Sequence, residues 1–409
     1  MAVLSDDLMA PDVIADPHAY YAELREHDPV HWNERWGGWI LTRYDDVVAV
    51  LRDQKGFSSD RMAFLARELT RDERARYKPL FQILSRWMVF RDPPGHAQLR
   101  ILLNKRFTPT AVERYRERVR SIVASCLTMF EGRSEMEIVR DFAYQIPMSV
   151  ILDLMDIHEV DRDDVKIWSE QLGAFFFIRA DEPRRREMAC EGIISMVEML
   201  MPVIARRRKD RGEDLISLLL GAEDRGEIDK DDVLATCVLL IFGGHETTMN
   251  LIANATLALA RHPETWEQLH EQPALLPTAV EEFLRYDGSV KATVRWARED
   301  VRIGDQVIHA GDRLLLALSA ANRDPEQFDD PDALDITRTP NAHVAFAHGI
   351  HVCIGASLAR LEVEEAIGGL TRRMHCVALL DDELAYHPTV VGRALRSLRV
   401  SLPWRDERE

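Results

Sequence analysis

Cysteine is scarce in this sequence, and what there is does not pair. Five residues, at 126, 190, 237, 353 and 376, are spread over 409 positions without framework spacing. An odd, scattered set argues against a disulfide scaffold and for a reducing cytoplasm. No Gly/Ser linker, internal repeat or low-complexity tract divides the chain. One large domain over residues 1–409 is therefore expected, although that length exceeds the usual size of a single domain. Positive charge is short as well: 52 Lys and Arg against 69 Asp and Glu leave a net charge of −17. Bulk repulsion then excludes a general role in binding nucleic acid. The opening residues, MAVLSDDLMAPDVIADPHAYYAEL, carry early acids and no long apolar run. Neither a signal peptide nor a membrane anchor is expected.

What is present suits a soluble protein with ample core: 46% of residues are hydrophobic and 30% charged. Periodicity predicts helices within DPHAYYAELREHDPVHW, closed by Pro29, over Leu99 to Phe107 and Pro109 to Phe130, twice within PMSVILDLMDIHEVDRDDVKIWSEQLGAFFF, and from Asp181 to Arg207. GGWILTRYDDVVAVLRD reads as a short apolar run followed by helix spacing. Strand alternation concentrates late, in ATVRWARED, VRIGDQVIHAGDRLLLAL and LRVSLPW, around turns at Gly304-Asp305 and Gly311-Asp312. The expected class is mainly α with a small β region.

One segment stands apart. DDVLATCVLLIFGGHETTMNLIANATLALAR, Asp231 to Arg261, has no proline and is apolar on nearly every face. As a helix it would span about 45 Å and run through the centre of the protein. Its middle, Gly243-Gly244-His245-Glu246-Thr247-Thr248, is polar. Either the helix ends at Gly243 and a second is capped by Thr247, or one helix is locally opened beside a ligand. In the second case the glycines admit a flat ligand, and Glu246 and Thr247 deliver protons into a dry pocket. Further on, PTAVEEFLRYDG sets Glu282 and Arg285 on one helix face. Such pairs are usually solvated, but Ala279, Val280, Phe283 and Leu284 suggest partial burial here.

FAHGIHVCIGASLAR, Phe346 to Arg360, raises the question of what Cys353 does. His343, His348 and His351 could join it as zinc ligands, but no CxxC or HxxxH pair supports that. A nucleophilic role lacks a base on the right side of the sulfur. A plain buried thiol stays open. A thiolate ligand to haem iron accounts for more of the residues. Gly349 and Gly355 let the backbone lie against a flat macrocycle. The run from Ala356 reads as a helix whose N-terminal N–H groups lower the thiol pKa, and Phe346 shields the sulfur. A thiolate also pushes electron density onto iron.

These motifs resemble those of the cytochrome P450 family, over nearly the whole chain. Phe346, Gly349, Cys353 and Gly355 match its F-x-x-G-x-x-x-C-x-G signature. Gly243 to Thr247 match its oxygen-activating motif, and Glu282 with Arg285 its E-x-x-R pair. DPPGHAQLRILLNKRFTP looks like the segment whose histidine and arginine, here His96 and Arg100, meet the haem propionates; Arg295 and His351 match further propionate partners. Ala347 and Gly243 replace a usual glycine and alanine, which should be tolerated. Ala333 stands where an arginine often completes a triad with E-x-x-R, and Arg338 is the candidate substitute.

The resemblance implies a P450-like fold with a long central helix over haem b, the iron held by Cys353. Gly243 and Gly244 would lie against the macrocycle, and Glu246 and Thr247 would donate protons during use of O2. The chain would insert one oxygen atom of O2 into a small or medium apolar substrate, by hydroxylation or epoxidation, as in natural-product tailoring. The alternative is a haem-thiolate protein that couples, binds or senses without hydroxylating. With no flavin or iron–sulfur segment, electrons would come from a ferredoxin and its NAD(P)H-dependent reductase. Residues 100 to 120 hold seven basic and two acidic side chains, so Arg116 and Arg120 are expected to dock the ferredoxin. Pocket residues by resemblance are Val89, Phe175, Leu239, Val290, Ala292 and Thr293. Lys291 would face an acidic substrate or solvent, and the Phe175–Phe177 run is core or pocket wall. A cytoplasmic monomer, without membrane or nucleic-acid partner, is expected.

Overall fold

The long apolar segment forms one unbroken helix, Lys230–Arg261, in the computed structural model, which describes residues 6–67, 69–177 and 184–405. Asp229 starts it: its carboxylate accepts from the N–H groups of Asp231 and Asp232, and the Asp232 carboxylate reaches back to the Asp229 N–H. This capping box satisfies helix-start donors from both sides. The helix neither ends at Gly243 nor opens there. Thr247 Oγ1 donates to the Gly243 carbonyl at 3.2 Å, a back-bond within regular helix. Gly244 has a packing reason: a Cβ there would lie 3.0 Å from the Ile151 side chain, on the neighbouring helix Gln145–Leu154.

Around this axis pack the helices that carry the site. Helix Gly95–Asn104 bears His96 and Arg100, and Leu276–Asp287 bears Glu282 and Arg285. Helix Ala356–Arg373 follows Cys353 and packs on Arg116–Thr128, the central helix and Leu276–Asp287. Arg185–Lys209 starts later than the periodicity suggested, Asp181 to Pro183 lying outside the described residues. It is long and apolar enough to cross a membrane, but it lies alongside Arg162–Phe177 with Ala189, Ile193, Met196 and Leu200 buried.

The β region draws on both ends of the chain. A five-stranded sheet runs in the order Val30–Asn33, Gly38–Leu41, Arg313–Leu316, Thr293–Ala297, Phe57–Ser58. Only the pairing of Gly38–Leu41 with Arg313–Leu316 is parallel. Strand signals seemed confined to the later sequence because the early strands are two to four residues long, too short to show alternation. The Gly304-Asp305 turn closes the expected hairpin, with Gly304 at φ 56°.

The basic run is not the free patch its charge suggested. Arg116 is held by Glu113, Glu364 and Glu365, and Arg120 by Glu117 and Glu365. Two carboxylates on the helix after Cys353 thus neutralise it from across a packed interface. Lys105, Arg106 and Arg114 make no ion pair among the described residues.

Candidate active site

The site is a cavity of about 300 Å³ between the middle of the central helix and the cysteine loop. Leu239, Gly243 and Thr247 face it from the helix, while Phe346, Cys353 and Gly355 face it from the loop. His96, Arg100 and His351 close one side. The fold brings these together from positions more than two hundred and fifty residues apart in the chain.

The cysteine loop is shaped by its backbone. Cys353 donates its N–H to the Phe346 carbonyl at 2.9 Å, closing the loop on itself. Gly349 sits at φ 73°, and a Cβ there would lie 2.5 Å from the Leu51 carbonyl oxygen. The reason for this glycine is therefore the turn and the neighbouring helix Tyr44–Arg52. Ala347 sits at φ 58°. Alanine at that angle costs about 1 kcal/mol relative to glycine, so this departure from the common pattern carries strain.

Cys353 is accessible and lines the cavity. Burial pushes the Cys353 thiol above its ordinary pKa, against the pull of the Gly355 N–H, Arg100 and Arg360. The Gly355 N–H pulls the pKa down as expected of the helix start, but burial outweighs it. A cation bound at the sulfur would favour loss of the proton. Zinc is not supported: among the described residues no three His, Cys, Asp or Glu side chains form a metal cluster. His343 meets Glu281 at 3.1 Å, and His348 lies 3.0 Å from Arg52.

Below the loop stands a bracket that sequence reasoning did not find. Glu281 takes Arg360 through both carboxylate oxygens, at 2.5 and 2.8 Å, and also His343. These partners hold the Glu281 carboxyl down at about 2, against the effect of its burial. The Arg360 guanidinium lies 4.7 Å above the Phe346 ring. Phe346 is thus clamped next to the sulfur by an ion pair joining two helices.

The side of the cavity holds donors without acceptors. The rings of His96 and His351 lie 4.3 Å apart, and the Nε2 atom of each is buried with no partner. Arg100 donates to the Val352 carbonyl and Arg295 to the Val294 carbonyl at 2.9 Å, yet neither meets a carboxylate among the described residues. Burial, then Arg295, His96 and Arg100, drive His351 down to about 3. Burial lowers Arg295 to about 10. Two neutral imidazoles and two guanidiniums converging without an acid fit a ligand bearing carboxylates. Haem, with two propionates and a soft iron ligand opposite a wall of small residues, matches this donor set.

On the central helix, Thr247 faces the cavity and Glu246 does not. Glu246 Oε2 is sequestered without a partner, and burial with nearby Glu170 raises its pKa to about 8. The cavity has another acid that the sequence reading missed, Glu362. It is buried, with Oε2 unpartnered, and burial raises its pKa well above the ordinary range. Its signal was available: Glu362 lies four residues after Leu358 and three after Ala359, so all three share one helix face and line the cavity.

The expected pocket residues divide. Val89, Leu239, Val290 and Thr293 line the cavity. Phe175 and Ala292 do not. Phe175 is buried against Phe81 and Phe176, and Ala292 is buried among Ile40, Leu315 and Ala317 beside the sheet. Phe176 stacks on Trp87 and approaches Phe90 and Phe242, while Ile178 and Arg179 lie outside the described residues. Lys291 faces neither substrate nor solvent. It is buried, donates to the Thr389 carbonyl at 2.8 Å, and is brought down to about 7 by burial and Arg393.

Glu282 and Arg285 have no exposed side-chain surface. Arg285 donates twice to Glu282 at 2.7 Å and also to the carbonyls of Asn322, Pro331 and Ala333. Arg338 lies 3.3 Å from Glu282, and Asn341 donates to it at 3.0 Å. Ala333 contributes its backbone where a side chain was sought, and Arg338 supplies the second cation.

Known proteins agree with this architecture. The family model described as Cytochrome P450 matches residues 39–374. Cytochrome P450 107B1 of Saccharopolyspora erythraea is 39% identical over 407 residues, covering 95% of this chain and 98% of that one. The biotin biosynthesis cytochrome P450 of Bacillus subtilis is 35% identical over 403 residues, covering 97% and 99%. The solved structure of P450BioI with hexadec-9Z-enoic acid ligated acyl carrier protein superposes with a TM-score of 0.89, at 34% identity over 96% of this chain and 99% of that one. Matching sequence and fold over nearly its whole length, the chain belongs to the cytochrome P450 family and is a haem monooxygenase of that family.

Proposed function

We propose that the chain is a single monooxygenase domain that inserts one oxygen atom of O2 into an apolar organic substrate. Its haem is haem b, and its electrons come from a ferredoxin and an NAD(P)H-dependent reductase. The observation that carries this reading is Cys353 opening onto an apolar cavity directly opposite the Gly243–Thr247 stretch of the central helix. When bound, the haem supplies oxygen activation and oxidation of the substrate. Everything else falls to the chain. Cys353 Sγ would hold the haem iron, its backbone N–H fixed to the Phe346 carbonyl and the Phe346 ring lining the same cavity. His96, Arg100, Arg295 and His351 would hold the propionates. Val89, Leu239, Val290 and Thr293 would orient the substrate and exclude water. The names of relatives in biotin and polyketide biosynthesis support a small to medium substrate, as in natural-product tailoring.

Thr247 would pass protons from its hydroxyl, which now rests on the Gly243 carbonyl. Glu246 would replenish them, because its raised pKa keeps it protonated at neutral pH. Thr247→Ala should lower product formed per NAD(P)H consumed by about tenfold or more, with consumption continuing. Coupling in the parent should fall as pH rises through about 8, where Glu246 loses its proton, and Glu246→Gln should remove that pH dependence. Unchanged coupling in Thr247→Ala, or an unaltered pH profile in Glu246→Gln, sinks the relay.

Ferredoxin would dock on Lys105, Arg106 and Arg114, around Ile101, which is 67% exposed, and beside Val352 next to Cys353. Lys105→Glu with Arg106→Glu should slow reduction by about tenfold at low salt and leave the carbon-monoxide spectrum unchanged. Equal rates for parent and variant would move the docking site elsewhere. The chain works as a cytoplasmic monomer on this reading.

A further inference from the structure

We propose that Arg360, pinned over Phe346 by Glu281 and His343, is a positioning residue whose charge sets the reduction potential of the iron. This rests on Cys353 being the iron ligand, as proposed above, and names what tunes it.

Three elements meet at this point. Helix Leu276–Asp287 brings Glu281, helix Ala356–Arg373 brings Arg360, and the segment ahead of the cysteine loop brings His343. Glu281 accepts from Arg360 Nε at 2.5 Å and from Arg360 Nη2 at 2.8 Å. This two-bond geometry fixes the plane of the guanidinium as well as its distance. His343 holds the same carboxylate. Its Nδ1 accepts the Ala345 N–H at 3.2 Å, so its Nε2 carries the proton and donates to Glu281 at 3.1 Å. The His343 side chain is 3% exposed and that of Arg360 39%. The bracket is thus rooted in the interior and ends in a half-exposed cation.

That cation sits on an aromatic face. The guanidinium carbon of Arg360 stands 4.7 Å from the centre of the Phe346 ring, within the range of cation–π attraction. Phe346 lines the cavity with Cys353, and its carbonyl takes the Cys353 N–H at 2.9 Å. One ring therefore stands between Arg360 and the loop that carries the sulfur. The side-chain charges acting on Cys353 are those of Arg100 and Arg360. A propionate would neutralise Arg100, which leaves Arg360 as the cation felt by the thiolate. Glu281 supplies the opposing charge.

Reduction transfers one electron from the donor to the iron, which passes from iron(III) to iron(II), and the thiolate-bound group gains a negative charge. A fixed cation beside it favours the reduced form, and a fixed anion favours the oxidised form. The two halves of the ion pair thus act with opposite signs. A role confined to holding the loop in shape would not: loosening the bracket from either side would disturb the loop in the same direction.

The test is a potentiometric titration of the haem-loaded full chain with dithionite and mediator dyes. The carbon-monoxide spectrum is recorded on the same samples. Arg360→Gln should make reduction at least about threefold less favourable, a fall of about 30 mV for one electron; solvent screening of the half-exposed charge keeps the effect modest. Glu281→Gln should shift the potential upward by a comparable amount. Arg360→Lys, which keeps the charge, should retain most of the parent value. Shifts of the same sign in Arg360→Gln and Glu281→Gln, or potentials equal to the parent's in both, overturn the proposal. Should Arg360→Gln fail to load haem, Glu281→Gln decides alone: a potential equal to or below the parent's overturns it. A parent without the thiolate carbon-monoxide band overturns the Cys353 assignment and this proposal together, whereas a parent with the band and unshifted variants overturns this proposal only.

Discussion

Arg285→Leu should leave little folded protein. The substitution removes two bonds to Glu282 and three to backbone carbonyls, at an ion pair with no exposed side-chain surface. Glu282 would keep Arg338, Asn341 and the Asp335 N–H, but its two 2.7 Å bonds would go and the Asn322, Pro331 and Ala333 carbonyls would lose their donor. Breaking a buried pair from one side costs about 3–5 kcal/mol. That is a large share of the about 5–15 kcal/mol by which a protein is stable. Arg285→Lys should recover only part, because one ammonium cannot serve five acceptors in three directions. Haem content and a thermal melt read the outcome. If Arg285→Leu loads haem normally and melts within about 2 °C of the parent, the pair is not the structural lock described here.

Cys353→Ala should abolish both the thiolate carbon-monoxide band and product formation. Haem need not be lost in parallel. His96, His351, Arg100 and Arg295 would hold the propionates independently of the sulfur. The expected variant therefore binds haem weakly and shows a spectrum without thiolate character. The Glu281–Arg360 pair lies under Phe346 and should keep the loop folded in the variant, so a matching circular dichroism spectrum separates ligand loss from unfolding. A band identical to the parent's would exclude Cys353 as the ligand.

The legible part of the site was the part written in local spacing. Cys353 with its glycines and following helix, and the polar interruption of a long apolar segment, each lie within one short stretch. Contacts assembled across the chain left weaker marks. The Arg285 lock looked like a surface pair because three of its acceptors are backbone carbonyls, which no side chain announces. Arg116 and Arg120 looked free because their carboxylates lie about two hundred and fifty residues away. Lys291 looked like a pocket residue because it follows Val290, yet just before strand Thr293–Ala297 the two diverge: Val290 lines the cavity while Lys291 turns to Thr389. The fold class was legible from helical periodicity. The sheet was not, because its strands are few-residue pieces whose partners lie at the other end of the sequence.

The Glu282 clasp also bears on the order in which the molecule assembles. Its bond to Asn341 joins residues 59 apart. Closing a loop of that length costs on the order of 3–4 kcal/mol of chain entropy. No single contact in the clasp offsets that cost, so the contacts must form together, after helix Leu276–Asp287 is in place. The meander from Asn322 to Asn341 leads directly into the Phe346–Gly355 loop, so the loop acquires its shape in the same step. Folding thus places the Cys353 turn among the last parts of the chain to close.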